Sequence, residues 1–160
     1  MLIRRATAAD NAAVWGILEG VIRAGETYAL PRDLSKADGL AYWTGADREA
    51  FVAEQDGKIL GTYYLRANQL GGGGHVANCG YITDVDATGR GVARQMCEHS
   101  LQYARSRGFR AMQFNLVIAS NTRAIRLWRS LGFETLGRIP QGFQHPRLSY
   151  VDALVMFRRL

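Results

Sequence analysis

Cysteine is scarce in this chain, and so is lysine. Among 160 residues there are two cysteines, Cys79 and Cys97, three prolines and three histidines. Two cysteines provide neither a disulfide framework nor a zinc-ligand spacing, and both read as small buried hydrophobes. No ligand spacing elsewhere supports a metal. No apolar stretch is long enough to cross a bilayer, and Met1-Leu2-Ile3-Arg4-Arg5 passes at once to polar and small residues, without the apolar core of a signal peptide. The expectation is a cytoplasmic protein with no membrane partner. Repeats, low-complexity linkers and composition breaks are also missing, so one domain over residues 1–160 is expected, and 48% hydrophobic content supplies its core.

The scarcity of lysine leaves arginine as 18 of the 20 basic residues, with a formal charge of +6. These arginines are scattered rather than gathered in a run, which argues against a nucleic-acid tract. The planar guanidinium fork suits phosphate and carboxylate. A small anionic cofactor explains the bias as well as a polynucleotide does, and an ordinary solvated surface explains most of it.

Glycine is plentiful, and one glycine pair organises the chain. Asp84-Val85-Asp86-Ala87-Thr88-Gly89-Arg90-Gly91-Val92-Ala93-Arg94 leaves an apolar run ending near Ile82 and enters a helical pattern that continues to about Arg107. Gly89 and Gly91 permit a tight turn and close approach to a bound group. The helix amides that follow lack intrahelical acceptors and, with the helix dipole, Arg90 and Arg94, suit a pyrophosphate. An ordinary strand-to-helix turn is the competing explanation.

Around this turn the periodicities alternate. Met1 to Ala6 reads as a strand, and Thr7 with Asp10 as a capping box opening a helix with Val14, Ile17, Leu18 and Val21 on its buried face, ending near Gly25. A loop to Asp33 follows, then a shorter helix capped by Ser35 and Asp38 with Leu40 and Trp43 on one side. It is either a substrate wall or a satellite cover for the sheet. Phe51 to Glu54, an Asp56-Gly57 turn and Lys58 to Arg66 form a hairpin. Gly71 to Gly74 has no helix after it and reads as a hairpin connection, and His75 to Val85 as the strand reaching the turn. The helix beyond buries Val92, Met96, Cys97, Leu101 and Ala104. Ala111 to Val117 is then a strand parallel to its predecessor through a right-handed crossover. Asn121 caps a helix with the stripe Ala124, Leu127, Trp128 and Leu131. Phe133 to Ile139 and Leu148 to Arg158 are two last strands, separated by a loop with Pro140, Gly142, His145 and Pro146. The expected fold class is α/β (α+β): a mixed, mostly antiparallel sheet of about seven strands flanked by about four helices.

This order of parts resembles the GNAT superfamily of N-acetyltransferases. The family's acetyl-CoA motif, Arg/Gln-x-x-Gly-x-Gly/Ala, falls on Thr88-Gly89-Arg90-Gly91-Val92-Ala93, and a second motif is matched by Asn121, Ala124, Leu127, Gly132 and Phe133. Thr88 replaces the first Arg or Gln. Trp128 replaces a tyrosine that in many members protonates the leaving thiolate, and an indole does not do this. A closer resemblance is to fungal N-acetyltransferases acting on proline analogues such as azetidine-2-carboxylate, on the mutual spacing of Asn78, Asn115 and Asn121 and on Gly142-Phe143-Gln144-His145-Pro146 leading to Tyr150-Val151-Asp152-Ala153.

The resemblance implies acetyl-CoA as co-substrate, with Thr83, Val85, Thr88, Gly89, Arg90, Gly91, Val92, Ala93, Arg94 and Asn121 binding it and main-chain amides of Thr83 to Val85 polarising the acetyl carbonyl. Asn115 and Asn78, on neighbouring strands, are the candidate catalytic residues, as uncharged amides that orient an amino acid or a water. Asn121 doubles as an N-cap. Asp84 is the nearest carboxylate and also fits a cap, His99 is expected to be exposed, and among the histidines only His145 sits in a loop able to reach a cleft. The acceptor expected is a small amine, an amino or imino acid. The alternatives are a protein or peptide amine, a non-catalytic acetyl-CoA-binding module and, most distantly, nucleic acid. The resemblance also implies a homodimer, which no residue demonstrates by itself.

Overall fold

A computed structural model describes residues 1–160. Strand β1 (Leu2–Arg5) leads to helix α1 (Asn11–Ala24), helix α2 (Lys36–Thr44), and strands β2 (Glu49–Gln55), β3 (Lys58–Ala67) and β4 (Val76–Thr83). Helix α3 (Val92–Ser106), strand β5 (Ala111–Ile118), helix α4 (Thr122–Ser130) and strands β6 (Glu134–His145) and β7 (Ser149–Arg159) complete the chain. The seven strands form one sheet in the order β1-β2-β3-β4-β5-β7-β6. Every neighbouring pair is antiparallel except β4 and β5, which the α3 crossover makes parallel. Seven strands and four helices match the expected class.

Local chemistry sets these boundaries. Thr7 and Asp10 form the reciprocal capping box ahead of α1, and Gly25 closes that helix at φ 66°. The Ser35 hydroxyl accepts the Asp38 amide at the start of α2. Asp56 and Gly57 both take positive φ, which gives the two-residue turn between β2 and β3 the twist the strands require. The Gly71–Gly73 segment makes a single 3-10 turn in the β3–β4 connection.

The sheet separates two cores. On one face Met96, Cys97, Leu101 and Ala104 of α3 and Ile125 and Trp128 of α4 pack against Tyr63, Leu65, Met112 and Phe114. On the other, Val14, Trp15, Leu18 and Ile22 of α1 and Trp43 of α2 cover Val52, Tyr64 and Ile82. Gly39 lets the two helices approach, since a Cβ there would lie 2.4 Å from the Trp15 ring.

Three elements depart from the sequence expectation. In α1 the buried stripe takes in Trp15 and Ile22, while Val21 is only half-buried. In α4 Trp128 and Leu131 are buried as expected and Ile125 joins them, while Ala124 and Leu127 pack only partly against the core and line a cavity described below. The expected loop after Ile139 is instead strand. β6 runs on to His145, absorbing Pro140 to Gly142 in an irregularity of the β6–β7 ladder between Ile139 and Phe143. Proline is tolerated there because β6 is an edge strand.

Asp10 anchors the entry to α1. It is 7% exposed, accepts both η nitrogens of Arg4 at 2.8 and 2.9 Å, and takes the Thr7 amide at 2.8 Å. The Arg4 guanidinium holds its carboxyl well below the ordinary value of 3.8. A depressed folded-state pKa contributes stability above the unfolded value and loses it as pH falls toward the folded one. Asp10→Asn is therefore expected to lower the unfolding free energy by about 2 kcal/mol at neutral pH. In urea titrations at several pH values, the difference from wild type should shrink below about pH 4; a pH-independent difference would contradict this role.

Candidate active site

The site begins where the parallel ladder stops. β4 and β5 pair only at Val76–Ala111 and Ala77–Met112, and beyond that they diverge. At the fork Asn78 Nδ2 donates to the Gln113 carbonyl at 2.9 Å, so a side chain supplies the rung that the main chain no longer makes. On its other edge β4 stays paired with β3 through Gly61–Thr83, and the Asp84 amide donates to the Leu60 carbonyl at 2.9 Å. Strand alternation then turns the main-chain groups of Cys79, Tyr81 and Thr83 toward the gap. One of them, the Tyr81 carbonyl, accepts the Tyr28 hydroxyl at 3.1 Å from the loop after α1.

Two cavities open on this gap. The turn-side cavity, about 400 Å³, is lined by Ala87, Thr88, Gly89, Gly91, Val92, Ala93 and Arg94, by Asn121, Arg123, Ala124, Leu127 and Trp128 of α4 and its cap, and by Tyr81 and Thr83. Its charged residues are Arg94 and Arg123, with no acid. Gly89 and Gly91 hold φ 87° and 78°, a left-handed backbone that glycine adopts without strain, and Gly91 is the N-cap of α3. The amides of Gly89, Gly91, Val92, Ala93 and Arg94 make no main-chain hydrogen bond, the first intrahelical donor being Gln95 to the Gly91 carbonyl. Free amides, a helix N-terminus and two arginines without an acid are groups that could hold a phosphate.

The loop-side cavity, about 370 Å³, is lined by Thr27, Tyr28 and Ala29, by Tyr42, Tyr64 and Arg66, by Asn78 to Thr83 of β4, and by Phe114 to Ile118 of β5. Tyr81, Thr83, Asn121, Ala124 and Trp128 line both cavities, so the two share a wall. Gly80 makes room for the loop, since a Cβ there would lie 2.9 Å from the Tyr28 hydroxyl. Outside the cavity, Arg147 in the β6–β7 turn pairs with Glu26 at 2.6 Å.

Of the residues singled out in the sequence, Asn78, Asn115, Thr83, Thr88, Gly89, Gly91, Val92, Ala93, Arg94 and Asn121 all line one cavity or both. Asn121 also caps α4, accepting the Ala124 amide at 3.2 Å. Asn115 sits in a β5–β7 irregularity, donates to Asn68 Oδ1 at 2.7 Å and accepts from Gln113 at 2.9 Å. Val85 and Arg90 line neither cavity, and Val85 is 82% exposed. The amides of Asp84, Thr88 and Arg90 are bonded within the turn or to β3. Asp84 caps the 3-10 turn Val85–Ala87 through the Asp86 amide.

The histidines lie elsewhere. His145 is buried and its Nδ1 accepts the Arg147 and Leu148 amides, closing the β6–β7 turn rather than reaching a cleft. His99 is half-buried, not exposed; its Nδ1 is hydrogen-bonded to the Tyr63 hydroxyl at 2.7 Å, and burial lowers its pKa. Neither cavity therefore contains a histidine or a carboxylate. Burial holds the Tyr28, Tyr64 and Tyr81 phenols above the ordinary value of 10. Sequence reading passed over Arg123 and Arg66, each of which resembles a solvated charge until the fold turns it toward a cavity.

Residues 21–133 match the Acetyltransferase (GNAT) family, and the chain belongs to it. Acetyl-CoA is the acetyl donor of this family, and the free amides and arginines of the turn-side cavity fit it. A GCN5-related N-acetyltransferase from Kribbella flavida is 37% identical with a TM-score of 0.94, over 99% of this chain and 97% of that one. The N-acetyltransferase aca1 of Schizosaccharomyces pombe is 34% identical over 98 residues, 61% of this chain; the match spans 47% of the aca1 chain, so about half of that relative is represented here. A GNAT superfamily phosphinothricin acetyltransferase from Sinorhizobium meliloti, solved in complex with acetyl-CoA, shares the fold at 22% identity and a TM-score of 0.87, over 99% of this chain and 88% of that one.

Gly91→Glu adds bulk and negative charge beside the free amides. It is expected to abolish acetyl-CoA binding in a calorimetric titration while leaving the circular dichroism spectrum of the fold intact. Undiminished affinity in the folded variant would move the cofactor away from the glycine turn.

Proposed function

We propose that this chain transfers the acetyl group of acetyl-CoA to the amine of a small molecule, an amino or imino acid, with the two reactants meeting at the β4–β5 fork. The observation that carries the reading is the wall of Tyr81, Thr83, Asn121, Ala124 and Trp128 common to both cavities. A group of free amides and arginines on one side and a half-open chamber lined mostly by hydrophobic residues on the other suit a donor and an acceptor brought end to end. Such positioning is worth about 7 to 11 kcal/mol in good intramolecular models.

Acetyl-CoA, when bound, supplies a thioester whose carbonyl the amine attacks as the CoA thiolate leaves. In this reading the amides of Gly89, Gly91, Val92, Ala93 and Arg94, with the Arg94 and Arg123 guanidiniums, hold its pyrophosphate. Asn121 and the main chain of Tyr81 and Thr83 hold the arm that crosses the fork. The Thr83 amide faces the gap and is the donor suited to the developing oxyanion, a role worth about 3 to 4 kcal/mol. Asn115 retains a second Nδ2 hydrogen and orients the acceptor; Asn78 keeps the fork open at the distance that admits both reactants.

With no carboxylate or imidazole on either cavity wall, the amine has to arrive as its free base or lose its proton to water. The loop after α1 walls one side of the loop-side cavity through Thr27, Tyr28 and Ala29, which favours a small acceptor over a protein amine. Asn78, Asn115 and Asn121, through the resemblance to proline-analogue acetyltransferases, rank imino acids first, in keeping with the similarity to a fungal N-acetyltransferase. A non-catalytic acetyl-CoA-binding module is the second reading, favoured by the Trp128 indole at the shared wall and by the engagement of the Tyr81 hydroxyl there with Ser100 at 2.7 Å.

Release of CoA thiol from acetyl-CoA, measured against amino acids, proline analogues, polyamines and short peptides, tests the proposal. Acceptor-dependent release with amino or imino acids is expected; release only with peptides would give the acceptor role to a protein amine, and acetyl-CoA binding without release would favour the module. Asn115→Ala is expected to reduce kcat at least tenfold while leaving acetyl-CoA affinity within about twofold. Equal losses in both would remove its role toward the acceptor.

A further inference from the structure

We infer that Arg66 selects the acceptor by its carboxylate, so that the amine accepted by this site is one that also carries an acid group. This rests on the acetyl-transfer reading above and names the feature of the substrate that the loop-side cavity recognises. Arg66 is the single formally charged residue lining that cavity, and no acid lines it. Its Nε is buried without a hydrogen-bond partner. Its one ion pair, Nη1 to Asp47 Oδ2, is long at 3.4 Å, and Asp47 is 63% exposed and shared with Arg48. One solvated carboxylate thus serves two guanidiniums.

The long pair with a solvated carboxylate leaves the Arg66 guanidinium weakly neutralised, and its Nη2, which makes no hydrogen bond with the protein, is the prong left for a carboxylate that enters the cavity. Arg48 adds to the positive potential from behind the aromatic wall. Its guanidinium lies 4.0 Å from the Tyr42 ring centroid and 4.7 Å from that of Tyr64, and its Nη1 is likewise buried without a partner.

The neighbour of Arg66 completes the recognition. In the β3–β4 register Arg66 stands directly opposite Asn78, so the two side chains leave the same face of the sheet. The bond from Asn78 Nδ2 to Gln113 fixes the orientation of that amide and leaves Oδ1 as an acceptor with no protein partner. A cationic fork beside a free carbonyl oxygen matches the two ends of an α-amino or α-imino acid, the carboxylate toward Arg66 and the amine N–H toward Asn78. The same positive potential disfavours an ammonium that brings no anion with it. Polyamines and lysine side chains are therefore poor acceptors, whereas a carboxylate-bearing amine gains at one end what it loses at the other.

The test compares azetidine-2-carboxylate with azetidine-2-carboxamide as ligands of the protein saturated with CoA, where no transfer occurs, by calorimetric titration. Wild type is expected to bind the carboxylate about 10- to 100-fold more tightly than the carboxamide. Arg66→Gln should bind the two alike with unchanged affinity for acetyl-CoA, which also reports that it is folded, and Arg66→Lys should retain part of the preference. Equal binding of the two ligands by wild type, failure of both to bind, or a preference that survives in Arg66→Gln would overturn the inference. Thiol release separates this from the reading it rests on. A carboxylate preference without release removes acetyl transfer and keeps the role of Arg66, whereas release with carboxylate and carboxamide at equal efficiency keeps the transfer and removes the role.

Discussion

The two-rung contact between β4 and β5 is the constraint on which the rest of the molecule depends. A sheet saturates its main-chain groups by pairing strands along their length, and a strand that leaves its neighbour exposes donors and acceptors that need other partners. Here the separation is held by Asn78, whose amide reaches the Gln113 carbonyl just past the last main-chain rung. Beyond it the inner edge of β4 turns its polar groups to a gap. The glycine turn stands at the far end of that gap, and the loop after α1 walls one side of it. Had the parallel ladder continued, Tyr81 and Thr83 would be bonded to β5 and there would be no passage from one cavity to the other.

Charge is distributed around the gap in one sign only. Arg94 and Arg123 stand on the turn side, and Arg66, with Arg48 behind the tyrosines, on the loop side. The acids that balance these arginines lie outside: Glu98 and Asp47 are largely exposed. Low dielectric inside and solvated counter-charges outside leave a positive interior that attracts anions and holds ammonium groups off.

The features fixed by local sequence were legible. The strand, glycine turn and α3 stripe, the Asn121 cap and the Thr7–Asp10 capping box each depend on neighbours within a few residues, and each was read correctly. What failed depended on tertiary context. On α4 the expected stripe holds at Trp128 and Leu131, but Ala124 and Leu127 divide their apolar surface between the core and a cavity, a distinction that periodicity does not carry, and Ile125 takes a core place. Pro140 signalled a loop, but an edge strand accommodates proline in a ladder irregularity. His145 is singled out by its place in an expected loop able to reach a cleft, but that stretch is strand and turn, and the ring nitrogen is occupied by two amides of its own turn. Arg66 and Arg123 were invisible for the opposite reason: a charge on a strand or in the first turn of a helix carries no local mark of the space it faces.

The loop between α1 and α2 carries a consequence for how such a molecule diversifies. It is fastened by the Tyr28 hydroxyl on the Tyr81 carbonyl, by Arg23 and Arg32 clasping each other's backbone, by Glu26 on Arg147, and by Tyr28, Leu30 and Leu34 packed on the core beneath α1 and α2. None of these fastenings involves the glycine turn. Its sequence can therefore drift, exchanging one chamber shape for another, while the cofactor grip and the fork stay as they are. The glycine turn and the loop wall of the second cavity lie on separate stretches of chain, so the shape of that wall can change by recasting one short connection while the sheet residues of both cavities stay in place.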